Sequence, residues 1–427
     1  MATIVVVGGG WAGCSAAVAA KKAGVDTVVV LERTDMLLGT GLVGGIMRNN
    51  GRFTATEEAY ALGAGEIFDA VEESARHRNI EFPGHKHVTL YDVAKIEPAI
   101  RKVLDRFGIE YQLTARVRDI TVEGQKIKSV ITDNDDEIYG DVFVETTGTA
   151  GPQGNCSKYG NGCAMCVYRC PTFGPRISIA SRAGVAEKTG KKGDGSLGAM
   201  SGSCKLLKES LSEAIQQELN TKGVAVIPIP ENLRKAESLS IKACQQYALK
   251  EFAENVILLD TGHAKLMSPY YPLEKLRRIP GFENARFEDP YSGGIGNSMR
   301  YFNLSPRDNA LKVQGVDNLF CGGEKAGLLV GHTEAIVTGT LAGHNAARYV
   351  YGKELLVLPE SLAIGDAIAH VNEEMKTEKG MALKYTFSGA QYFVRMQEKG
   401  LYTTDVQAIR DRVAKAGLSG IFAEPVV

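Results

Sequence analysis

Residues 3–33 leave this chain very few folds to choose from. Ile4 to Val7 is a short apolar, β-branched run of the kind that forms a strand buried on both faces. Gly8, Gly10 and Gly13 follow it as G-x-G-x-x-G, and the small residues Ala16, Ala17, Ala19, Ala20 and Ala23 then suit a helix packed close to a sheet. Gly24 ends that helix, Val28 to Leu31 is a second buried strand, and Glu32 and Arg33 close it. Each residue type has a physical task. Gly8 permits a tight turn, Gly10 lets the backbone approach a pyrophosphate, and Gly13 lets helix and strand come close. Trp11 and Ala12 open the helix, whose unpaired N–H groups and partial positive charge favour phosphate. Glu32 can accept hydrogen bonds from ribose hydroxyls. The stretch predicts a dinucleotide site on a Rossmann-type α/β fold.

A length of 427 residues predicts two or three subdomains. The 48 glycines gather around 8–13, 39–51, 148–202, 281–296 and 315–343, as several backbone-lined loops would require. A net charge of −1 offers no global attraction for nucleic acid or membrane. No run of about eighteen apolar residues predicts a transmembrane helix, and the N-terminus enters strand one without a basic region or cleavage site. A cytoplasmic protein is expected, in which the eight cysteines are thiols or metal ligands rather than disulfides.

Further along, 56–77 reads as a helix with Thr56 as N-cap, 86–91 as a strand, and Asp92 as the cap of a helix running to Phe107. Ile109 to Leu113 reads as a parallel strand. Residues 115–122 and 126–132 alternate in character about Glu123-Gly124, which predicts a β-hairpin. Asp141 to Glu145 is a buried strand ending in Thr146-Thr147-Gly148-Thr149. Residues 151–280 read as an insertion with a helix over 205–219, a strand over 223–227, a helix around 240–253 and a strand over 255–259. The chain then returns to the cofactor through Val316-Asp-Asn-Leu-Phe-Cys-Gly-Gly323-Glu324, and Gly331-His332-Thr333-Glu334 opens a helix to about Tyr349. On that helix Gly339 and Gly343 lie one turn apart, which permits close backbone packing. Residues 351–427 read as a helical tail.

A β-meander followed by a strand and Thr-Gly resembles FAD folds related to glutathione reductase. The stretches Leu319-Phe-Cys-Gly-Gly-Glu, Gly331-His-Thr-Glu-Ala and Gly339-Thr-Leu-Ala-Gly-His-Asn-Ala-Ala-Arg348, with Leu358-Pro-Glu-Ser-Leu-Ala-Ile-Gly365, narrow the likeness. They resemble a flavoprotein superfamily that holds the FAD-dependent tRNA uridine carboxymethylaminomethyl-modification proteins and the folate- and FAD-dependent tRNA uridine methyltransferases. The resemblance covers roughly 1–50, 140–180 and 315–370. It implies a glutathione-reductase-type FAD/NAD(P)-binding fold with an inserted α/β domain and a helical C-terminal tail. The corresponding segments are 1–150 and 285–350 for FAD, 151–284 for the insertion and 351–427 for the tail. It also implies FAD contacts from Gly8, Gly10, Trp11, Ala12, Gly13, Glu32, Arg33, Val117, Thr147, Gly148, Gly323, Glu324, Gly331, His332 and Thr333, and a homodimer. His332, at the start of the helix expected beneath the flavin, is the candidate catalytic residue, able to hydrogen-bond a flavin carbonyl or move a proton. The methyltransferases carry a cysteine in the loop after strand two, where this chain has Leu42-Val43-Gly44-Gly45.

Cys156, Cys163, Cys166 and Cys170 are spaced C-x6-C-x2-C-x3-C-P. The end of the run resembles a bacterial ferredoxin. Four thiolates suit a [4Fe–4S] cluster or structural zinc, and metal-free thiols are the third reading. Cys14, Cys204, Cys244 and Cys321 read as isolated thiols. Arg169, Arg176 and Arg182 follow the run and could meet an anionic substrate, or form a solvated face. The leading expectation is an FAD-dependent oxidoreductase in which a cysteine-bound [4Fe–4S] cluster feeds two-electron flavin chemistry on a small-molecule substrate or an electron-transfer partner, with NAD(P)H or folate open as co-substrate. The alternatives are folate- and FAD-dependent RNA uridine modification, with RNA as partner, and a non-enzymatic flavoprotein electron-transfer subunit.

Overall fold

The structure is a computed structural model, and it describes residues 1–148, 173–191, 195, 199–201, 205–234, 247–267, 272–288, 298–300 and 302–427. The cysteine quartet Cys156, Cys163, Cys166 and Cys170 lies outside the described residues, as do Cys204, Cys244 and Arg169.

Strand β1 (Thr3–Val7), helix α1 (Trp11–Lys22) and strand β2 (Thr27–Leu31) form the opening β-α-β unit. A helical turn α2 (Gly41–Gly44) and a short strand β3 (Ile46–Met47) follow. The helix expected over 56–77 is instead two helices and a strand: α3 (Gly51–Ala61), α4 (Glu66–Glu73) and β4 (Ala75–Phe82). Gly63, at φ +89°, breaks the first helix, and β4 is held by antiparallel pairing with β5 (His85–Tyr91). Asp92 accepts from the Ala94 N–H at 3.0 Å, but α5 spans only Ile96–Arg106. The expected parallel strand is β6 (Glu110–Gln112), and the hairpin is β7 (Val117–Glu123) with β8 (Lys126–Thr132), extended by β9 (Glu137–Tyr139) into a meander. Strand β10 (Val142–Glu145) returns to the main sheet.

The insertion has its own core. Strands β11 (Lys205–Leu206), β12 (Val224–Pro228), β13 (Asn255–Asp260) and β14 (Ala264–Leu266) form an antiparallel sheet in the order β11-β14-β13-β12. Helix α6 is Glu213–Lys222, so the helix expected over 205–219 is shifted: its first residues pair as β11. Residues 235–246, which include the first half of the helix expected around 240–253, lie outside the described residues. Leu206, Leu219, Leu258, Leu266 and Phe282 fill this core. The β3-β5-β4 sheet packs onto it through Phe82, Val88 and Leu90 against Tyr247, Phe252 and Ile257, so these three strands also help build the second module.

Strand β15 (Leu319–Cys321) and helix α7 (His332–Val350) complete the nucleotide-binding layer. The central parallel sheet has the order β15-β10-β1-β2-β6. Its register is what builds a site. Val7 is paired with Leu31 on one side and Glu145 on the other, and Glu145 with Cys321. Four strands therefore end level, and the loops they release (Gly8, Glu32, Thr146 and Gly322) leave from one edge. In open α/β sheets that carboxyl edge, where strand order reverses, is the binding crevice. The tail is helical as expected, with a short strand at Tyr385–Thr386 that returns to the start of α7.

Helix α7 is buried on nearly every side, and His344 on it is fully enclosed, its ring 5.1 Å from that of Phe422. Among the described residues neither ring nitrogen has a hydrogen-bond partner. Burial, and then the charge of Arg348, push its pKa down to about 4. The unfolded chain therefore binds a proton below about pH 6.5 that the native state refuses, and stability contributed by the neutral ring is lost as pH falls toward 4. His344→Leu is expected to remove about 2–3 kcal/mol of the destabilisation between pH 7 and pH 4.5. Urea titrations of both proteins at the two pH values check this; an equal stability difference at both would refute it.

Candidate functional site

The crevice can be assembled one residue at a time. Gly8 sits at φ +107°, and a Cβ there would lie 2.6 Å from the Thr146 carbonyl oxygen. At Gly13 a Cβ would lie 1.9 Å from the Gly8 oxygen, which is the close helix–strand contact its place in the fingerprint requires. Gly10 differs from both. A Cβ there meets nothing within 4 Å, so the space above it is open. Helix α1 starts at Trp11 with no side-chain cap and no acidic residue in its first turn. Its first N–H groups and the positive end of its dipole lie at that space.

Glu32 is buried and pinned. One carboxylate oxygen accepts from the Gly9 N–H at 2.8 Å, the other from the N–H and hydroxyl of Thr34, both at 3.0 Å. A carboxylate fixed in this way is ready to accept from a ribose without reorganising. Arg33 reaches across to donate to the Gly174 carbonyl at 2.6 Å. Val117 is buried at the start of the meander. Thr147 donates to Glu145 at 3.0 Å, and Gly148 adopts φ +68° with open space where a side chain would be.

The second glycine pair meets the first. A Cβ on Gly323 would lie 3.0 Å from the Ala12 Cβ, and the Gly323 N–H donates to the Thr338 hydroxyl at 2.9 Å. A Cβ on Gly339 would lie 2.1 Å from the Ala12 carbonyl oxygen, and one on Gly343 2.0 Å from that of Ala16. Helices α1 and α7 thus touch backbone to backbone, and that contact sets the two glycine loops side by side. The structure brings together Gly8, Gly10, Trp11, Ala12, Gly13, Glu32, Gly323 and the start of α7.

The α7 start rests on a buried ion pair that sequence reasoning missed. Arg52 of α3 donates through Nε to Glu334 at 3.0 Å, with both side chains enclosed. Glu334 also accepts from the Thr386 hydroxyl at 2.6 Å and the Phe387 N–H at 2.9 Å. Arg52 Nη1 donates to Asn49 at 3.1 Å. Gly331 lies directly over this pair at φ +149°, where a Cβ would come within 2.0 Å of Arg52 Nη2. Only glycine fits. Glu334 is visible in the Gly-His-Thr-Glu run, but its partner lies 282 residues away and nothing in the Asn-Gly-Arg run announces it.

His332 follows. Its ring stands 5.8 Å from Trp11 and 6.3 Å from Tyr91, whose hydroxyl lies 3.4 Å from Nδ1. That hydroxyl donates to the Gly41 carbonyl at 2.6 Å, and burial raises its pKa well above the usual phenol range, so it stays protonated. Gly44 lies flat against the imidazole: a Cβ there would be 1.7 Å from Cε1. Two lysines of the second module hold this α2 turn. Lys205 donates to the Leu42 carbonyl at 3.2 Å and Lys265 to that of Val43 at 2.6 Å. Thr333 is buried, with its hydroxyl 3.7 Å from the Met47 sulfur.

Among the described residues no group of three or more His, Cys, Asp and Glu side chains is arranged to hold a metal. Cys14 and Cys321 are buried thiols, and burial pushes Cys321 up to about 12. Both are apolar packing residues. Among the described residues no helix is long and apolar enough to cross a membrane.

A family model described as glucose inhibited division protein A matches residues 3–256 and 234–354. Among curated proteins, the chain is 35% identical over 111 residues to the methylenetetrahydrofolate-tRNA-(uracil-5-)-methyltransferase TrmFO of Caldicellulosiruptor bescii, covering 26% of this chain and 24% of that protein. The enzyme of the same description from Streptococcus sanguinis strain SK36 is 38% identical over 89 residues, 20% of this chain and 19% of its own length. The chain therefore aligns with only about a quarter or less of these relatives. Among solved structures, GidA of Aquifex aeolicus in its form II crystal superposes with a TM-score of 0.68 at 19% identity, covering 97% of this chain and 72% of that one. The form I crystal gives 0.63 at 17% identity, with 97% and 78% covered. These likenesses show the fold, a mixed α/β architecture built on a parallel sheet.

Proposed function

This chain belongs to the glucose inhibited division protein A family, and from that premise we propose that it is an FAD-dependent enzyme that modifies a uridine of tRNA, with a folate one-carbon donor as co-substrate. The observation that carries the reading is the meeting of the two glycine loops at Ala12 and Gly323 beside the open space over Gly10. The residues present fit FAD. Gly10 and the uncapped start of α1 offer room and N–H donors for a diphosphate, and Glu32 is fixed for a ribose. Helix α7 begins at His332 without a side-chain cap, and the positive end of its dipole suits an electron-rich ring. Bound FAD supplies hydride chemistry. The chain's own work is to bind, orient and handle protons. His332, held by Trp11, Tyr91 and Gly44, is the proton-handling residue of this reading. Lys205 and Lys265 bring the second module, and with it the RNA side, against the α2 turn. A homodimer belongs to the same reading.

The test is incubation of the flavin-loaded chain with unmodified tRNA, methylenetetrahydrofolate and a reductant, followed by mass spectrometry of the nucleosides. A new modified uridine that disappears in His332→Asn, while flavin binding persists, is the expected result. No modified uridine from a fully flavin-loaded preparation would sink the tRNA reading.

One observation favours a second reading. The methyltransferases' loop cysteine has no place here: Gly44 is pressed on His332, and a Cβ on Gly45, at φ +79°, would lie 2.3 Å from Thr261. If Cys156, Cys163, Cys166 and Cys170 hold a [4Fe–4S] cluster, the enzyme is a redox flavoprotein acting on another substrate. Anaerobic purification would then yield about four irons and four sulfides per chain. Zinc or free thiols would be found instead if the quartet is structural or redox-active alone.

A further inference from the structure

The carbonyls of the α2 turn are tied down from outside it. The N–H groups of Gly41, Leu42 and Val43 bond back to Leu38, Gly39 and Thr40, but so short a helix leaves its own carbonyls to other partners. Gly41 accepts from the Tyr91 hydroxyl at 2.6 Å, and Gly45, just past the turn, from the Tyr91 N–H at 3.1 Å. The second module meets the carbonyls between: Leu42 accepts from Lys205 at 3.2 Å and Val43 from Lys265 at 2.6 Å. Leu38 and Gly39 before the turn and Gly45 after it are left-handed, at φ +71°, +46° and +79°. Strain of the kind Leu38 carries persists where the surroundings over-determine it, and it gathers at functional sites.

The platform that carries the two lysines is firmly built. Lys205 of β11 and Lys265 of β14 lie opposite each other in the antiparallel register. Like charges facing across a sheet are unfavourable, and both ammoniums turn onto the carbonyls of α2. The turn from β13 to β14 is anchored at Asp260, which accepts from Lys208 at 2.6 Å, Arg76 at 3.0 Å and the Gly262 N–H at 3.2 Å. Thr261, beside it, presses on Gly45 and accepts from the Val93 N–H at 3.1 Å. His332 lies against the same α2 turn at Gly44. A Cβ on Gly44 would fall 1.7 Å from Cε1, 2.6 Å from Nε2 and 2.7 Å from Nδ1, so the Gly44 backbone covers the ring edge that carries protons. The Val43 carbonyl and the Gly44 N–H share one planar peptide. The charge-assisted bond from Lys265 therefore holds the group that covers the imidazole.

We propose that Lys265 of the second module is a positioning residue for His332, acting through the Val43–Gly44 peptide, with Lys205 assisting at Leu42. This deepens the reading above, in which His332 handles the proton, and rests on it for the chemistry. The test is NMR of the full-length chain with 13C-labelled histidine. Of the Cε1–Hε1 signals of the seven histidines, the one lost in His332→Asn belongs to His332. In Lys265→Met that signal is expected to shift and broaden, and in Lys205→Met to shift less, its bond being longer. In the tRNA assay above, Lys265→Met should lower kcat about 10- to 100-fold with KM for tRNA within about twofold, the pattern of a misplaced catalytic group. Leu219→Ala, a cavity in the core of the same module, is the structural control. It should lower the melting temperature and leave the His332 signal in place. An unmoved signal in Lys265→Met, wild-type turnover in that variant, or an equal shift in Leu219→Ala overturns the proposal. Should Lys265→Met not fold, Lys205→Met decides: a shifted signal supports the proposal and an unmoved one refutes it. Failure of the tRNA reading shows separately. A wild type that modifies no uridine removes that reading, while a shifted signal in Lys265→Met still upholds the hold on His332.

Discussion

Arg52→Met is expected to destabilise the protein by about 3–5 kcal/mol, the cost of leaving one partner of a buried ion pair behind. Glu334 is fully enclosed, and without Arg52 its carboxylate keeps, among the described residues, the Thr386 hydroxyl and the Phe387 N–H. Those neutral donors stabilise a buried charge far less than a guanidinium does. Urea denaturation of the flavin-free protein measures the loss. Glu334→Gln should cost a similar amount, since it takes the carboxylate from a buried guanidinium. The double variant should recover much of it, because replacing both partners avoids an orphan charge. Flavin affinity should fall in each single variant, because Gly331 and His332 rest on this pair. A loss below about 1 kcal/mol in Arg52→Met would show the pair to be no stronger than a surface bridge.

Gly10→Ala and Gly339→Ala are expected to fail in opposite ways. At Gly10 the added methyl meets no protein atom within 4 Å and the backbone, at φ −72°, accepts alanine. The flavin-free fold should keep its stability within about 0.5 kcal/mol, while the methyl occupies the space the diphosphate needs, and FAD affinity should fall more than about 100-fold, or some 2.8 kcal/mol. At Gly339 the methyl would sit 2.1 Å from a backbone oxygen of α1, which has no rotamer to escape into. There the fold itself should lose about 2–3 kcal/mol, as overpacked cores do, and FAD affinity should decline as Gly323 is pushed off Ala12. Melting curves with and without FAD separate the two patterns. Equal destabilisation of the flavin-free protein by both substitutions would mean that Gly10 is a packing glycine and the open space no binding site.

The nucleotide-binding half was legible because its signals are local. Ile4 to Val7, the three fingerprint glycines and Glu32 lie within about one strand–helix–strand unit, which the structure forms, and Gly8 and Gly13 make the close backbone contacts their spacing implies. Gly339 and Gly343 announced a close helix contact by being one turn apart, though not that α1 is the partner. The break at Gly63 was missed because the apolar spacing of 66–73 continues that of the preceding helix, and β4 is specified by pairing with β5 rather than by its own alternation. Lys205 and Leu206 look helical in isolation and are strand because Ala264 and Lys265 lie opposite them. Arg52, Lys325 and Arg176 were not recognised as buried network residues. A charged side chain gives no sign in sequence of being buried, and their partners are supplied by the tertiary fold.

The clamp beneath α7 joins residues 52, 334 and 386, and β10 completes its sheet with a strand that lies more than 170 positions further along. Such contacts cannot form while the chain is still emerging from the ribosome. The amino-terminal half must wait with its glycine fingerprint exposed and one sheet edge unpaired until position 386 has been made. At roughly 5–20 residues per second, that wait is on the order of tens of seconds. Flavin loading in the cell is thus a late event, and the interval before it is when the nascent protein has most need of a chaperone.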